Sequence, residues 1–111
     1  MNKQLIYGDI GGTKTILQLA EIRGEEIHEQ FTQRYDSHMF ANFSDILKDF
    51  LNRAGTKIPP AAACFAIAGP IMAQQVKLTN LLWQINSNDL AHEFSIPNVK
   101  LINHFEAAAL A

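Results

Sequence analysis

The spacing of hydrophobic residues divides the first part of the chain into three strands. Residues 4–9 carry adjacent apolar side chains and are closed by glycines, and residues 14–22 fit a strand or a helix on periodicity alone. Paired threonines and the preceding glycine turn favour a strand for residues 14–22. In a third strand Ile27, Phe31 and Tyr35 are expected to share one face. The pattern therefore predicts a three-stranded meander.

A helix and a buried strand follow the meander. Apolar residues recur at helical spacing over residues 44–54, with Asn42 or Ser44 placed to cap the helix and Gly55 to end it. Residues 61–68 are apolar throughout, which is typical of a strand covered on both faces.

The last third of the chain continues the alternation. We expect a small hairpin over residues 76–85, a short helix opened by Ser87 or Asn88, and a strand over residues 99–102. Residues 104–111 then read as the start of a helix that stops early. Apart from the hairpin, the order is βββαβαβα, which predicts a mixed α/β domain.

Composition narrows the class of protein. The 111 residues suffice for one domain, and 48% hydrophobic against 18% charged residues is typical of a soluble, globular chain. A net charge of -2 and a pI near 6.0 disfavour nucleic acid or an anionic membrane as partner. With no apolar run of membrane-spanning length and one cysteine, Cys64, predicted to be buried and inert, we expect a cytoplasmic protein.

Three apolar strands are interrupted by polar or glycine residues at their carboxyl ends. Asp9 closes the first strand, Gly69 and Pro70 close the strand over 61–68, and Asn103 and His104 close the last. If these strands are parallel, their carboxyl ends lie at one edge of the sheet, where ligands collect in open α/β folds. One cleft is therefore predicted.

The first of these ends, GDIGGTKT, suits a phosphate chain. Asp9 is a carboxylate that could hold Mg²⁺ through water, and Gly11 and Gly12 permit positive φ and a close approach of backbone N–H groups to an anion. Thr13 adds a hydroxyl and Lys14 a charge. The spacing matches neither a P-loop nor a dinucleotide fingerprint, and a plain hairpin turn is the alternative.

The second end, AIAGP, places Gly69 where a side chain would block a ligand, and Pro70 stiffens the turn. A simple strand terminator explains both residues when they are taken alone. Thr79, Asn80 and Trp83 suit the wall of a polyol site, and a surface hairpin anchored by one tryptophan is the alternative.

The third end pairs Asn103 with His104. The Asn103 amide offers a donor and an acceptor, which suits a sugar hydroxyl. A general base beside it would take the hydroxyl proton during phosphoryl transfer, and a carboxylate is the usual group. The plainer interpretation of His104 is that it begins a helix and has no catalytic role.

Four ordered stretches together resemble the landmarks of bacterial glucokinases: LIYGDIGGTKT, FAIAGPI, KLTNLLWQI and LINHFEAAALA. The resemblance implies the ribonuclease-H-like, actin-like ATPase fold, with a mixed sheet in βββαβαβα order and helices on both faces. It covers only a first lobe. Residues 1–111 would then form a single amino-terminal domain that ends inside the helix beginning near residue 104, with the second lobe missing.

The resemblance also implies roles for individual residues. Asp9 would assist Mg²⁺, Asn103 would bind a sugar hydroxyl, and His104 stands where the family has its catalytic aspartate. The phosphate-binding hairpin would comprise Gly8, Asp9, Ile10, Gly11, Gly12 and Thr13. The glucose pocket would be bordered by Gly69, Pro70, Thr79 and Asn80. Because imidazole is uncharged before proton transfer, an enzyme carrying His104 is expected to be strongly impaired.

The activity implied is phosphorylation of glucose or a related hexose by ATP with Mg²⁺, with the missing lobe as a partner and a homodimer as a further expectation. The chain alone is expected to be inactive, because phosphoryl transfer needs both walls of the cleft. Two alternatives stay open: a sugar- or nucleotide-binding module that has lost catalysis, and a fragment without a function of its own.

Overall fold

The structure is a computed structural model that describes residues 3–78 and 81–104. Its elements are, in chain order, β1 (Lys3–Ile10), β2 (Lys14–Arg23), β3 (Glu26–Asp36), a 3-10 turn (Ser37–Met39), α1 (Phe43–Ala54), β4 (Ala62–Ile67), β5 (Gln75–Leu78), β6 (Trp83–Asn86), α2 (Ser87–Phe94) and β7 (Asn98–Asn103). This order is the predicted one as far as β7. The predicted final helix lies, beyond His104, outside the described residues. None of the helices in the described ranges has the length and apolar character that crossing a membrane requires.

Five strands form one sheet in the order β3-β2-β1-β4-β7, and β5 and β6 form a separate hairpin. The meander β1-β2-β3 is antiparallel, whereas β1, β4 and β7 run parallel. Ile10 pairs with Ile67, and Ile67 pairs with Asn103, so the three parallel strands end level with one another. The predicted α/β fold and its parallel strands are confirmed.

The hydrophobic core lies on one face of the sheet. Phe43 of α1 packs edge-on against Phe65 of β4, with ring centroids 4.9 Å apart, and Trp83 of the hairpin and Leu90 of α2 join the same cluster. Both described helices therefore cover the same face. Helices on both faces remain a prediction that depends on the helix expected from residue 104.

A groove of about 730 Å³ is lined by residues of β1, β4 and β7 on the opposite face and by Ser87, Asn88 and Ala91 of α2. Leu5 and Cys64 are half-buried along it, and Tyr7 is 44% exposed. Neither Asp9 nor Asn103 lines this groove, although Asp9 lies on the same face of β1 as Leu5 and Tyr7.

Local capping chemistry sets the helix ends. The Asn42 side chain accepts a hydrogen bond from the Asp45 amide at 2.9 Å, and Gly55 takes a left-handed φ of 71° at the end of α1, as predicted. Helix α2 is capped one residue earlier than expected. Asn86, the last residue of β6, accepts from the amides of the second and third helical residues at 2.8 and 3.1 Å.

The expected face of β3 is wrong for one residue. A β-bulge leaves Gln30 without a partner position in the pairing with β2, which reverses the alternation of side chains on one side of it. Tyr35 is buried and Phe31 packs against the core, but Ile27 is 71% exposed. A one-residue slip of this kind has no signal in the period-two pattern.

A polar cluster ties β3 to α1. The Tyr35 hydroxyl donates to Asp49 Oδ2 at 2.7 Å, and Arg53 Nε donates to the same oxygen at 2.7 Å. The hydrogen bond from Tyr35, followed by the contacts with Arg53, lowers the pKa of the Asp49 carboxyl below its ordinary value of 3.8. Burial of the phenol, together with Asp49, raises the pKa of Tyr35.

Replacing Tyr35 with phenylalanine should cost about 1 kcal/mol of unfolding free energy near neutral pH. Because the folded pKa of Asp49 is depressed, its contribution is present above the unfolded pKa and is lost as the pH falls below about 4. Urea unfolding at about pH 7 and about pH 3 should therefore show a smaller difference between variant and wild type in acid. Tyr7→Phe is the matched control and should stay within about 0.5 kcal/mol. An equal cost of Tyr35→Phe at both pH values would contradict the link to Asp49.

Candidate functional site at the carboxyl edge of the parallel strands

Asp9 and His104 meet across the central strand of the parallel trio. Asp9 lies within β1, one residue before its end, and its carboxylate is half exposed at 51%. His104 directly follows β7, and its Nε2 lies 2.5 Å from Asp9 Oδ1. The first and last of the predicted strand ends are thus in direct contact. The sequence predicted that they share a cleft but not that they touch.

The glycine hairpin between β1 and β2 is tighter than expected. The Gly11 amide donates to the Lys14 carbonyl at 2.9 Å, and a Cβ added at Gly11 would lie 3.0 Å from that same oxygen. Neither Gly11 nor Gly12 adopts positive φ, so the expected use of left-handed backbone is wrong at both positions. The missing side chain of Gly11 instead allows its backbone to come close to the Lys14 carbonyl within the turn.

The stretch from Gly8 to Thr13 divides between core and surface. A Cβ added at Gly8 would lie 2.6 Å from side-chain carbons of both Leu17 and Phe65, and Ile10 is fully buried. Gly8 and Ile10 therefore face the core, so only their backbone groups remain for a ligand. Thr13 is exposed. A phosphate-binding role for the stretch stays a prediction.

A buried serine outside the predicted motifs holds this hairpin. Ser37 Oγ donates to the Gly11 carbonyl at 2.8 Å, and the Ser37 amide donates to the Thr13 carbonyl at 2.9 Å. Thr15 Oγ1 lies 2.9 Å from Ser37 Oγ, and both residues are fully buried. The sequence signals only a polar residue after a strand at Ser37, so its contact 26 residues away was not predicted.

The strand end at Gly69 is conformationally special. Gly69 has φ of 125°, a value that L-residues rarely adopt, and both Gly69 and Pro70 are exposed. Thr79 and Asn80 lie outside the described residues. Trp83 is 1% exposed, and its Nε1 donates to the Phe40 carbonyl at 3.3 Å. It is a core anchor, which agrees with the anchored hairpin and not with a sugar-facing wall.

Gln74 secures the strand that carries Asn103. Its side-chain amide donates to the Leu101 carbonyl at 3.2 Å and accepts from the Leu101 amide at 2.8 Å, as a neighbouring strand would. Asn103, half-buried, lies two residues further along β7. Gln74 itself has φ of 59°, so this pairing is held from a turn with left-handed backbone. The sequence did not predict this contact.

The fit of Mg²⁺ to this edge depends on how the ion is bound. Within residues 3–78 and 81–104, no three His, Cys, Asp or Glu side chains are grouped so that they could hold a metal. Mg²⁺ usually keeps several waters and binds one or two carboxylates together with substrate phosphates. The exposed Asp9 carboxylate fits that second mode. It suits a cation that arrives with a phosphate chain.

Comparison with known proteins gives consistent matches. A sequence model of the family described as glucokinase matches residues 6–111. Curated glucokinases from Nostoc sp. and Caulobacter vibrioides are 46% and 37% identical over 104 and 106 residues, which cover 93% and 96% of this chain. The same alignments cover 30% and 32% of those relatives, so the chain spans about a third of their length.

Solved structures agree with the sequence matches. A glucokinase from an Antarctic psychrotroph has a TM-score of 0.85 at 30% identity, covering 95% of this chain and 33% of that one. A glucokinase from Balamuthia mandrillaris in complex with glucose has a TM-score of 0.62 at 23% identity, covering 95% of this chain and 30% of that one. The second of these likenesses shows the fold alone.

Gly69→Ala should destabilise the chain by about 1–3 kcal/mol, because φ of 125° is strained for any residue with a Cβ. Crowding would not be the cause, since the nearest side-chain atom, on Val76, lies 4.0 Å from the added carbon. Urea unfolding measures the effect, with Ala68→Ser at the exposed neighbouring position as the control, expected within about 0.5 kcal/mol. Equal stability of the two variants would show that Gly69 does not hold this conformation in solution.

Proposed function

The chain belongs to the glucokinase family, and we propose that it forms the first lobe of an enzyme that transfers a phosphoryl group from ATP to glucose or a related hexose. The observation that carries the proposal is the level ending of β1, β4 and β7. It puts the glycine hairpin, the Gly69 turn and the Asn103–His104 pair along one edge of the sheet. A phosphate donor and a hydroxyl acceptor must lie side by side for phosphoryl transfer, and this edge offers groups suited to both.

The donor side would be the stretch from Gly8 to Thr13, in which the Gly11 N–H is already bound to the Lys14 carbonyl and the backbone N–H groups after it suit phosphate oxygens. Asp9 would face the Mg²⁺ that accompanies ATP, and the ion when bound would neutralise phosphate charge. The acceptor side would be Asn103, whose amide suits a sugar hydroxyl, with Gly69–Pro70 and Thr79–Asn80 at the border of the pocket. A second lobe, a cytoplasmic location and a homodimer remain predictions.

His104 is the weak point of this site. Its Nε2 pairs with Asp9, so in a neutral imidazole the proton sits on Nε2 and only Nδ1 is left to accept another. The carboxylate that the family resemblance places there has two oxygens and a negative charge. We therefore propose that His104 is a poor general base and that catalysis with it is slow.

The effect of His104 can be measured in a chimera in which this chain replaces the matching first segment of the Nostoc sp. glucokinase. His104→Asp should raise kcat for glucose phosphorylation by at least about 100-fold, since a general base contributes about 10²–10⁴ in rate. His92→Asp, a change at an exposed position of α2, is the matched control and should leave kcat unchanged. Equal kcat for His104→Asp and the unmodified chimera would refute the role assigned to this position.

The 111-residue chain alone should show no ATP-dependent phosphorylation of glucose above background, because one lobe cannot hold donor and acceptor in line. An assay coupled to glucose 6-phosphate oxidation measures this, with the His104→Asp chimera as positive control. Turnover by the chain alone would show that the second lobe is dispensable.

The pairing of His104 with Asp9 also favours a second candidate, a binding module without catalysis. Asn103 and the hairpin would still bind ligand while the base is lost. Calorimetry of the chimera with glucose and with Mg-ATP separates the two: binding without turnover supports the module, and binding with turnover supports the kinase.

A further inference from the structure

Ser37 is a fully buried hydroxyl that no motif explains, and it reaches both sides of the glycine hairpin. We propose that Ser37, with Thr15 behind it, is a positioning residue that sets the direction of the hairpin's backbone N–H groups toward phosphate. This rests on the phosphate-binding role of the hairpin proposed above. Ser37 itself touches no substrate in this role.

The direction of the hydrogen bonds follows from counting protons. Ser37 has one hydroxyl proton, and Ser37 Oγ gives it to the Gly11 carbonyl at 2.8 Å. In the contact between Thr15 Oγ1 and Ser37 Oγ at 2.9 Å, Thr15 is therefore the donor. The chain of bonds runs from Thr15 through Ser37 to Gly11, and it is sealed from water because Thr15 and Ser37 are 0% exposed. Such a chain has one orientation.

Fixing a carbonyl also fixes the amide on the other side of the same peptide plane. In a trans peptide the C=O and the N–H point in opposite directions. With the Gly11 carbonyl turned toward Ser37 Oγ, the Gly12 N–H is aimed away from it. With the Thr13 carbonyl bound to the Ser37 amide, the Lys14 N–H is aimed away in the same manner. Ser37 thus sets two potential phosphate donors at once.

The Gly11–Gly12 peptide needs such a restraint more than any other in the turn. Both flanking residues lack a Cβ, so rotation of this peptide plane meets little steric resistance. The hydrogen bond from the Gly11 N–H to the Lys14 carbonyl closes the turn, but it does not fix the orientation of the Gly11–Gly12 peptide plane. The Ser37 hydroxyl is the group that holds the Gly11 carbonyl inward.

The first test measures kinetics in the chimera, or in its His104→Asp form if turnover is low. Ser37→Ala should raise KM for ATP about tenfold, the size expected for one hydrogen bond, while KM for glucose stays within about twofold. Ser87→Ala, which removes another buried serine in α2, is the control and should change neither KM. Thr15→Val should raise KM for ATP as Ser37→Ala does, and Thr15→Ser should restore it. Equal changes in both KM values, or none, would overturn the inference.

The second test does not depend on enzyme activity. In the 111-residue chain, NMR should show one set of Gly12 amide signals in the wild type and in Ser87→Ala, and broadened or doubled signals in Ser37→Ala. A single unshifted Gly12 signal in Ser37→Ala would overturn the inference. If the chimera has no kinase activity in either form while Gly12 responds as expected, the proposed function fails and the positioning of the hairpin stands.

Discussion

The pairing register of the three parallel strands is the constraint on which the candidate site depends. Asp9, Ala66 and Ile102 form one row across β1, β4 and β7, and the next row holds Ile10, Ile67 and Asn103. Side chains alternate between the two faces of a sheet, so a slip of one residue would turn Asp9 into the core and bring Ile10 to the surface. The same slip would separate His104 from Asp9. Site geometry and core packing are therefore one property of this sheet.

Two different interactions hold that register. On the core side, Gly8 has no side chain, so Leu17 and Phe65 close over it within a distance that any Cβ would prevent. No residue with a side chain would fit at this position, and this includes the residues that a shift of β1 would bring there, because Leu17 and Phe65 are both fully buried. On the open edge, the Gln74 amide pairs with the backbone of Leu101 where a further strand would otherwise bind. The first interaction fixes β1 against β4, and the second fixes the end of β7.

The features that the sequence predicted depend on interactions between residues close in the chain, and those that it missed depend on residues far apart in the chain. The cap at Asn42 and the stop at Gly55 depend on residues within one helical turn, and both were predictable. The bulge at Gln30 depends on how β3 pairs with β2, so the sequence pattern places Ile27 on the wrong face. Ser37 reaches Gly11 across 26 residues, and a lone serine after a strand carries no sign of that distance. The edge of the sheet was predictable from the interrupted strands, but the hydrogen bonds that shape it were not.

His104 changes the charge balance of this edge as well as its acid–base chemistry. Its long side chain reaches Asp9 and places a hydrogen-bond donor on that carboxylate. An aspartate at residue 104 would be shorter and would leave two carboxylates facing each other across β4. Two like charges about 4 Å apart repel by about 1 kcal/mol in water and about 4 kcal/mol near a protein surface. That repulsion favours a cation or a proton donor between them, such as a sugar hydroxyl or a hydrated metal ion. Histidine puts a hydrogen-bond donor where the second carboxylate would lie, so the His104–Asp9 contact replaces a repulsion with an attraction and leaves this edge with less negative charge.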